Sequence, residues 1–137
     1  MRWGRARDSL QRVITDGQVV DLTLPPGDVA WLVCEGKVLA SLEVMRTRSH
    51  RARGLLGRSG CDGGVLLWRV RSVHSFGMSF ELDVAFLDRT GTVVRTARLP
   101  RNRLSPPVWR SWCVIEAEAG AFGQWGLKIG DRVEFRC

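Results

Sequence analysis

A mainly β fold, either a compact β-sandwich or a partly open barrel with one or two short helices, is predicted for this chain by three observations. From Ala30 onward the apolar runs are short and strand-sized. Glycine, proline and aspartate punctuate them closely, as at Glu35-Gly36-Lys37 and Asp88-Arg89-Thr90-Gly91. Internal repeats are absent and strands far outnumber helices, which favours a sheet wrapped on itself over an α/β arrangement.

A length of 137 residues fits one hydrophobic core, since cores usually divide only at about 250 residues or more. Apolar residues make up 45% and charged residues 26%, a globular mixture that excludes wholesale disorder. Residues 1–28 lack a sustained period and end in Leu24-Pro25-Pro26-Gly27-Asp28, a strong break. They read as a loosely held N-terminal extension in which only Gln18 to Leu24 is suited to strand pairing. Residues 29–137 read as a single β-rich domain.

That domain opens with Ala30 to Cys34 and Val38 to Val44 around a glycine turn, a hairpin. Thr47 can cap a helix over Arg48 to Leu56, with Ala52, Leu55 and Leu56 on one side and Gly57 at its end. Ser59 to Gly64 is a glycine-rich loop, and a strand follows at Val65 to Trp68. Val73 to Phe80 and Leu82 to Leu87 read as further strands. Asp88 to Gly91 supplies a turn into Thr92 to Leu99, because aspartate bonds its own backbone first and glycine relaxes the last position. Asn102 to Pro107 is a surface loop, since adjacent prolines oppose pairing. Trp112 to Glu116 resumes as a strand, Ala119 to Trp125 forms one or two helical turns before Gly126, and Asp131 to Arg136 closes the chain as a strand.

The net charge is +7, and the excess is arginine, because lysine occurs only at Lys37 and Lys128. Two stretches concentrate it: Arg46, Arg48, Arg51, Arg53 and Arg58, and then Arg89, Arg95, Arg98, Arg101, Arg103 and Arg110. No apolar run approaches the roughly 18 to 20 residues that span a bilayer, so membrane insertion is not expected. The basic start is followed by no apolar signal segment, which predicts a cytoplasmic protein. Cys34, Cys61, Cys113 and Cys137 are widely spaced and expected as reduced thiols.

Four segments resemble the bacterial "domain of unknown function 192" family between Trp31 and Phe135. They are Arg51-Ala52-Arg53-Gly54-Leu55-Leu56-Gly57-Arg58, Phe76-Gly77-Met78, Leu82-Asp83-Val84-Ala85-Phe86-Leu87-Asp88, and Val114-Ile115-Glu116 followed by Ala119-Gly120 and Gly130-Asp131. Their order and spacing carry the resemblance. At Phe76-Gly77 this chain departs from the aromatic doublet of many relatives. The resemblance implies a compact β-rich fold and no particular reaction.

Neither a cofactor nor a metal is implied, because the cysteines form no close pair and only His50 and His74 accompany them. A thiol enzyme would rest on Cys61, and a hydrolase on Ser72, His74, Ser75 and Asp83, but neither has a local nucleophile signature. Asp83 and Glu116 stand out because each interrupts an apolar strand, where an unpaired carboxylate costs several kcal/mol. Arg53 is a predicted partner for these carboxylates. A structural bridge is the plain reading; the functional one places Arg53, Phe76, Met78 and Asp83 around a small-ligand pocket, with Glu116 and Asp131 as structural polar positions. The sequence thus reads as a non-enzymatic domain binding a small ligand or a protein partner. The alternative is an Arg-rich nucleic-acid binder, with Trp109 or Trp112 stacking on bases.

Overall fold

The computed structural model describes residues 14–15 and 18–19 at the level of the backbone, and residues 21–45 and 63–137 in full. The predicted helix at 48–56 with its Thr47 cap, most of the 59–64 loop, His50, Arg53 and Cys61 therefore lie outside the described residues.

A short pair, β1 (Ile14–Thr15) and β2 (Gln18–Val19), precedes the main sheet. Seven strands build that sheet: β3 (Val29–Cys34), β4 (Lys37–Met45), β5 (Gly64–Trp68), β6 (Leu82–Leu87), β7 (Val93–Leu99), β8 (Cys113–Glu118) and β9 (Val133–Arg136). Their order is β7-β6-β8-β5-β4-β3-β9. All neighbours are antiparallel except β4 and β5, which run parallel. A parallel pair cannot be joined by a tight turn, and the connecting residues 46–62 lie outside the described residues.

The sheet curls until its two outer strands meet at one end. Val93 donates to Asp131 O at 2.8 Å, Gly130 to Val93 O at 2.8 Å and Val133 to Gly91 O at 2.9 Å. The sheet is not closed along its length, so the architecture is a partly open barrel. Side-chain alternation then divides the core in two. Every strand of the sheet contributes to the concave face, through residues such as Leu32, Leu42, Leu66, Leu87, Val93, Ile115 and Phe135. The convex face carries Val65, Leu67, Leu82, Val84, Phe86 and Val114, with Val73, Met78 and Leu99 packed on them. Strand β6 and nearly all of β8 are buried on both faces, which is why both read as almost unbroken apolar runs.

One helical element occurs among the described residues, α1 (Ala121–Trp125). It ends at Gly126, whose φ of 76° completes the cap by donating to Phe122 O. Phe122 enters the concave cluster with Ala121 and Trp125 against it, so α1 plugs one mouth of the barrel. At the other side of the core, Leu22 is buried and its amide donates to Arg89 O at 2.8 Å, which ties the segment before β3 to the β6–β7 turn.

The hairpins form where turn chemistry predicts them. Glu35 and Gly36 both adopt positive φ, the two-residue turn that matches strand twist. Asp88 Oδ1 accepts the amides of Thr90 and Thr92, each at 3.0 Å. One predicted strand is corrected. Val73 to Phe80 contains only a single bridge, His74 with Leu104, because Gly77 turns at φ 77° and Met78 donates back to Ser75 O. Of the predicted pairing segment Gln18 to Leu24, Gln18–Val19 pairs as β2 with β1, and the described residues from Asp21 to Leu24 are not strand. No helix among the described residues is long and apolar enough to cross a membrane.

Candidate functional site

Asp83 lies at the start of β6 on the concave face, in register with Arg98 of β7. Arg98 Nε donates to Asp83 Oδ1 at 3.2 Å. The other carboxylate oxygen accepts the amide of Gly120 at 2.9 Å and that of Phe122 at 3.1 Å. Gly120 has no side chain with which to cap α1, and Asp83 supplies that acceptor from a distant strand. The predicted bridge partner was Arg53, which lies outside the described residues; Arg98 takes this role within them.

A shallow, largely open depression of about 450 Å³ lies over this junction, lined by Asp83, Thr96, Arg98, Phe122, Gly123 and Leu127. Phe122 and Leu127 give it apolar walls. The Arg98 side chain stays 57% exposed, and among the described residues its two terminal amino groups meet no acceptor. The depression therefore offers a cation beside an apolar surface.

The other predicted pocket residues are placed elsewhere. Met78 is buried in the convex cluster, opposite the face that carries the Asp83 side chain. Phe76 is half exposed on the loop beyond it, stacked on His74 with ring centroids 5.1 Å apart. Glu116 of β8 sits beside Val65 and Val84, hence on the convex face. Burial alone pushes its carboxyl up from 4.5 to about 7, and among the described residues no side chain bonds it. Asp131 accepts Lys128 N and Lys128 Nζ, at 3.0 and 2.9 Å, closing the turn before β9. That bond is also the main reason the Lys128 ammonium is held above its ordinary range.

The residues considered for a hydrolase do not converge. Ser72 donates to Ser105 O at 2.7 Å and Ser75 donates to Pro100 O, both on the convex side, while Asp83 is occupied on the other. Cys34, Cys113 and Cys137 are free thiols. Burial, followed by the charge of Asp88, raises Cys113, and burial followed by Asp131 and Glu35 raises Cys34. Neither is an activated thiolate.

A second constellation lies on the loops. Residues 69–76 and 101–112 run alongside each other, with Arg69 N bonded to Trp112 O, Val108 N to Arg71 O, Ser105 N to Val73 O and Ser75 N to Arg103 O, each at 2.8 to 2.9 Å. The guanidinium carbons of Arg69 and Arg89 both lie 4.3 Å from the Trp112 ring centroid. Arg71 Nε donates to Trp109 O at 3.2 Å, and Trp109 itself is 76% exposed. The sequence singled out Trp109, Trp112, Arg101, Arg103 and Arg110. It passed over Arg69 and Arg71, although neither paired stretch contains an acidic residue.

The family model of the domain of unknown function 192, described as "Uncharacterized ACR", matches residues 25–135. No curated protein matches by sequence. Among solved structures, a protein of unknown function from Novosphingobium aromaticivorans is 19% identical with a TM-score of 0.63, covering 92% of this chain and 94% of its own. A Sinorhizobium meliloti protein, described as a candidate transcription regulator, is 21% identical with a TM-score of 0.65, covering 78% of this chain and 92% of its own. At these identities the likeness is one of fold.

Proposed function

This chain belongs to the domain of unknown function 192 family, and from that premise we propose that it is a non-enzymatic binding domain. Its depression beside Asp83 and Arg98 takes a small molecule with an anionic head and an apolar body. The observation that carries this reading is the Arg98 guanidinium, which bonds Asp83 through Nε, stays 57% exposed and lines the open depression of about 450 Å³. That size lies within the roughly 300 to 1,000 Å³ of small-ligand sites. Asp83 positions the arginine and caps α1, and Phe122 and Leu127 receive the apolar part. Within this reading the domain's core starts at the Leu22 anchor, ahead of the 29–137 boundary drawn from sequence. A cytoplasmic location accords with the free thiols at Cys34, Cys113 and Cys137.

The test is native mass spectrometry of the purified protein, followed by thermal melts with benzoate and hexanoate as probes. A bound anion raises the melting temperature, by an amount equivalent to about 2.7 kcal/mol at a hundredfold excess over Kd. Arg98→Ala abolishes the shift while leaving the unliganded melt nearly unchanged. A shift retained in Arg98→Ala, or no shift with either probe and no retained small molecule, overturns the assignment.

A further inference from the structure

We propose that the paired loop segments 69–76 and 101–112 bind single-stranded nucleic acid, with arginines on the phosphates and exposed rings against the bases. The face is cationic without local compensation: Arg69, Arg71, Arg101, Arg103 and Arg110 lie in stretches that contain no aspartate or glutamate. Among the described residues, the one acid paired to them is Asp88, 3.5 Å from Arg110.

The same face leaves large apolar groups in water. Trp109 is 76% exposed, Leu104 64% and Phe76 50%. His74 stacks on Phe76 and is the bridge partner of Leu104, which gathers two of these side chains around the imidazole at one end of the paired loops. Cations meet a ring directly at Trp112, over which Arg69 and Arg89 lie, and Arg71 Nε is anchored beside the exposed Trp109 on its backbone carbonyl.

The platform is rigid despite being made of loops. Besides the backbone ladder, Ser75 Oγ accepts Arg103 N, Ser105 Oγ accepts Val73 N and Asn102 Oδ1 accepts Gly77 N, at 3.0, 3.0 and 3.1 Å. Pre-ordered groups lose little entropy on binding. A phosphate backbone complements the charge, and unpaired bases complement the rings. A duplex hides the faces of its bases, so the single strand is the form that satisfies both.

Fluorescence anisotropy with a labelled oligothymidylate of about ten nucleotides tests this. With about four phosphates neutralised, affinity is expected to fall about 50-fold between about 50 and 200 mM salt. Trp109→Ala should weaken binding about tenfold or more at unchanged salt slope, since it removes stacking and no charge. The double change Arg71→Ala with Arg103→Ala should lower the slope by about 1.4. All three positions are exposed, so the variants should keep the wild-type circular dichroism spectrum, which is the check that they fold. Binding that is indifferent to Trp109→Ala, or equally strong to polyglutamate, reduces the face to a generic anion attractor and overturns the proposal. So does a dimer that dissociates in Trp109→Ala and takes up no oligonucleotide, which assigns the face to a second copy of this chain.

Discussion

Asp83 and Glu116 stand on neighbouring strands, face opposite sides of the sheet and meet different surroundings. Asp83 accepts three hydrogen bonds, whereas Glu116 is packed beside valines and held protonated toward neutral pH by burial. The folded state holds the Glu116 proton more tightly than the unfolded chain, so its contribution to stability is complete below about 4.5 and is lost as pH rises through about 7. The span amounts to roughly 3 kcal/mol. Denaturant melts near pH 5 and pH 8 should show that decline, and Glu116→Gln should flatten it; an equally steep decline in the variant refutes the assignment. Asp83→Ala strands two amides and is expected to cost roughly 2 to 4 kcal/mol. Arg98→Ala removes only a half-exposed partner and should cost less than about 1 kcal/mol. Equal losses in urea melts would mean that the ion pair, and not the α1 cap, is what Asp83 contributes. The importance of both carboxylates was visible in the sequence as charge within an apolar run. Their faces follow from strand alternation, but the Asp83 partner did not, because it depends on register.

Register is decided at the level of elements. Asp88 N bonds Thr92 O, which starts the β6–β7 pairing, but an irregularity at Phe86 and Leu87 then shifts it so that Asp83 meets Arg98. Without that shift Asp83 would face Ala97, a difference no local motif announces. Turns such as Glu35-Gly36 and Asp88 to Gly91 were legible because their conformations are set by a few adjacent residues. The run from Val73 to Phe80 misled for the converse reason: its apolar residues pack against the convex face while its backbone bonds the loop near residues 102–105. Gly91 joins the turn to the barrel seam. Its φ is 92°, and a Cβ there would lie 2.5 Å from Val133 O. Gly91→Ala is therefore expected to destabilise by about 2 kcal/mol or more, through strain and a weakened β7–β9 contact. A variant melting with the wild type would show that the seam does not support the fold.

Across the whole molecule, the concave core draws on all seven strands of the sheet, so its centre should open only when the barrel does. Cys113 reports on that cooperativity. It has no exposed surface, and burial raises its thiol, whereas Cys137 is exposed at the terminus. Alkylation mapped by peptide mass should modify Cys137 at once and Cys113 only in proportion to the globally unfolded fraction as urea is added. Rapid modification of Cys113 in the absence of urea would reveal a local opening incompatible with a single cooperative core.

The sequence alone determined the β-rich class, most strand positions, the hairpin turns, the family resemblance and the basic, tryptophan-rich character. Each of these rests on periodicity or on short-range conformational preference, which neighbouring residues carry by themselves. Tertiary structure decided which distant residues share a face: Arg98 with Asp83 and α1, Met78 on the opposite side, and Arg71 with Trp109 across two paired loops. Those meetings depend on a register shift, a barrel seam and loop-to-loop hydrogen bonds between segments far apart along the chain, and no local pattern encodes such distances.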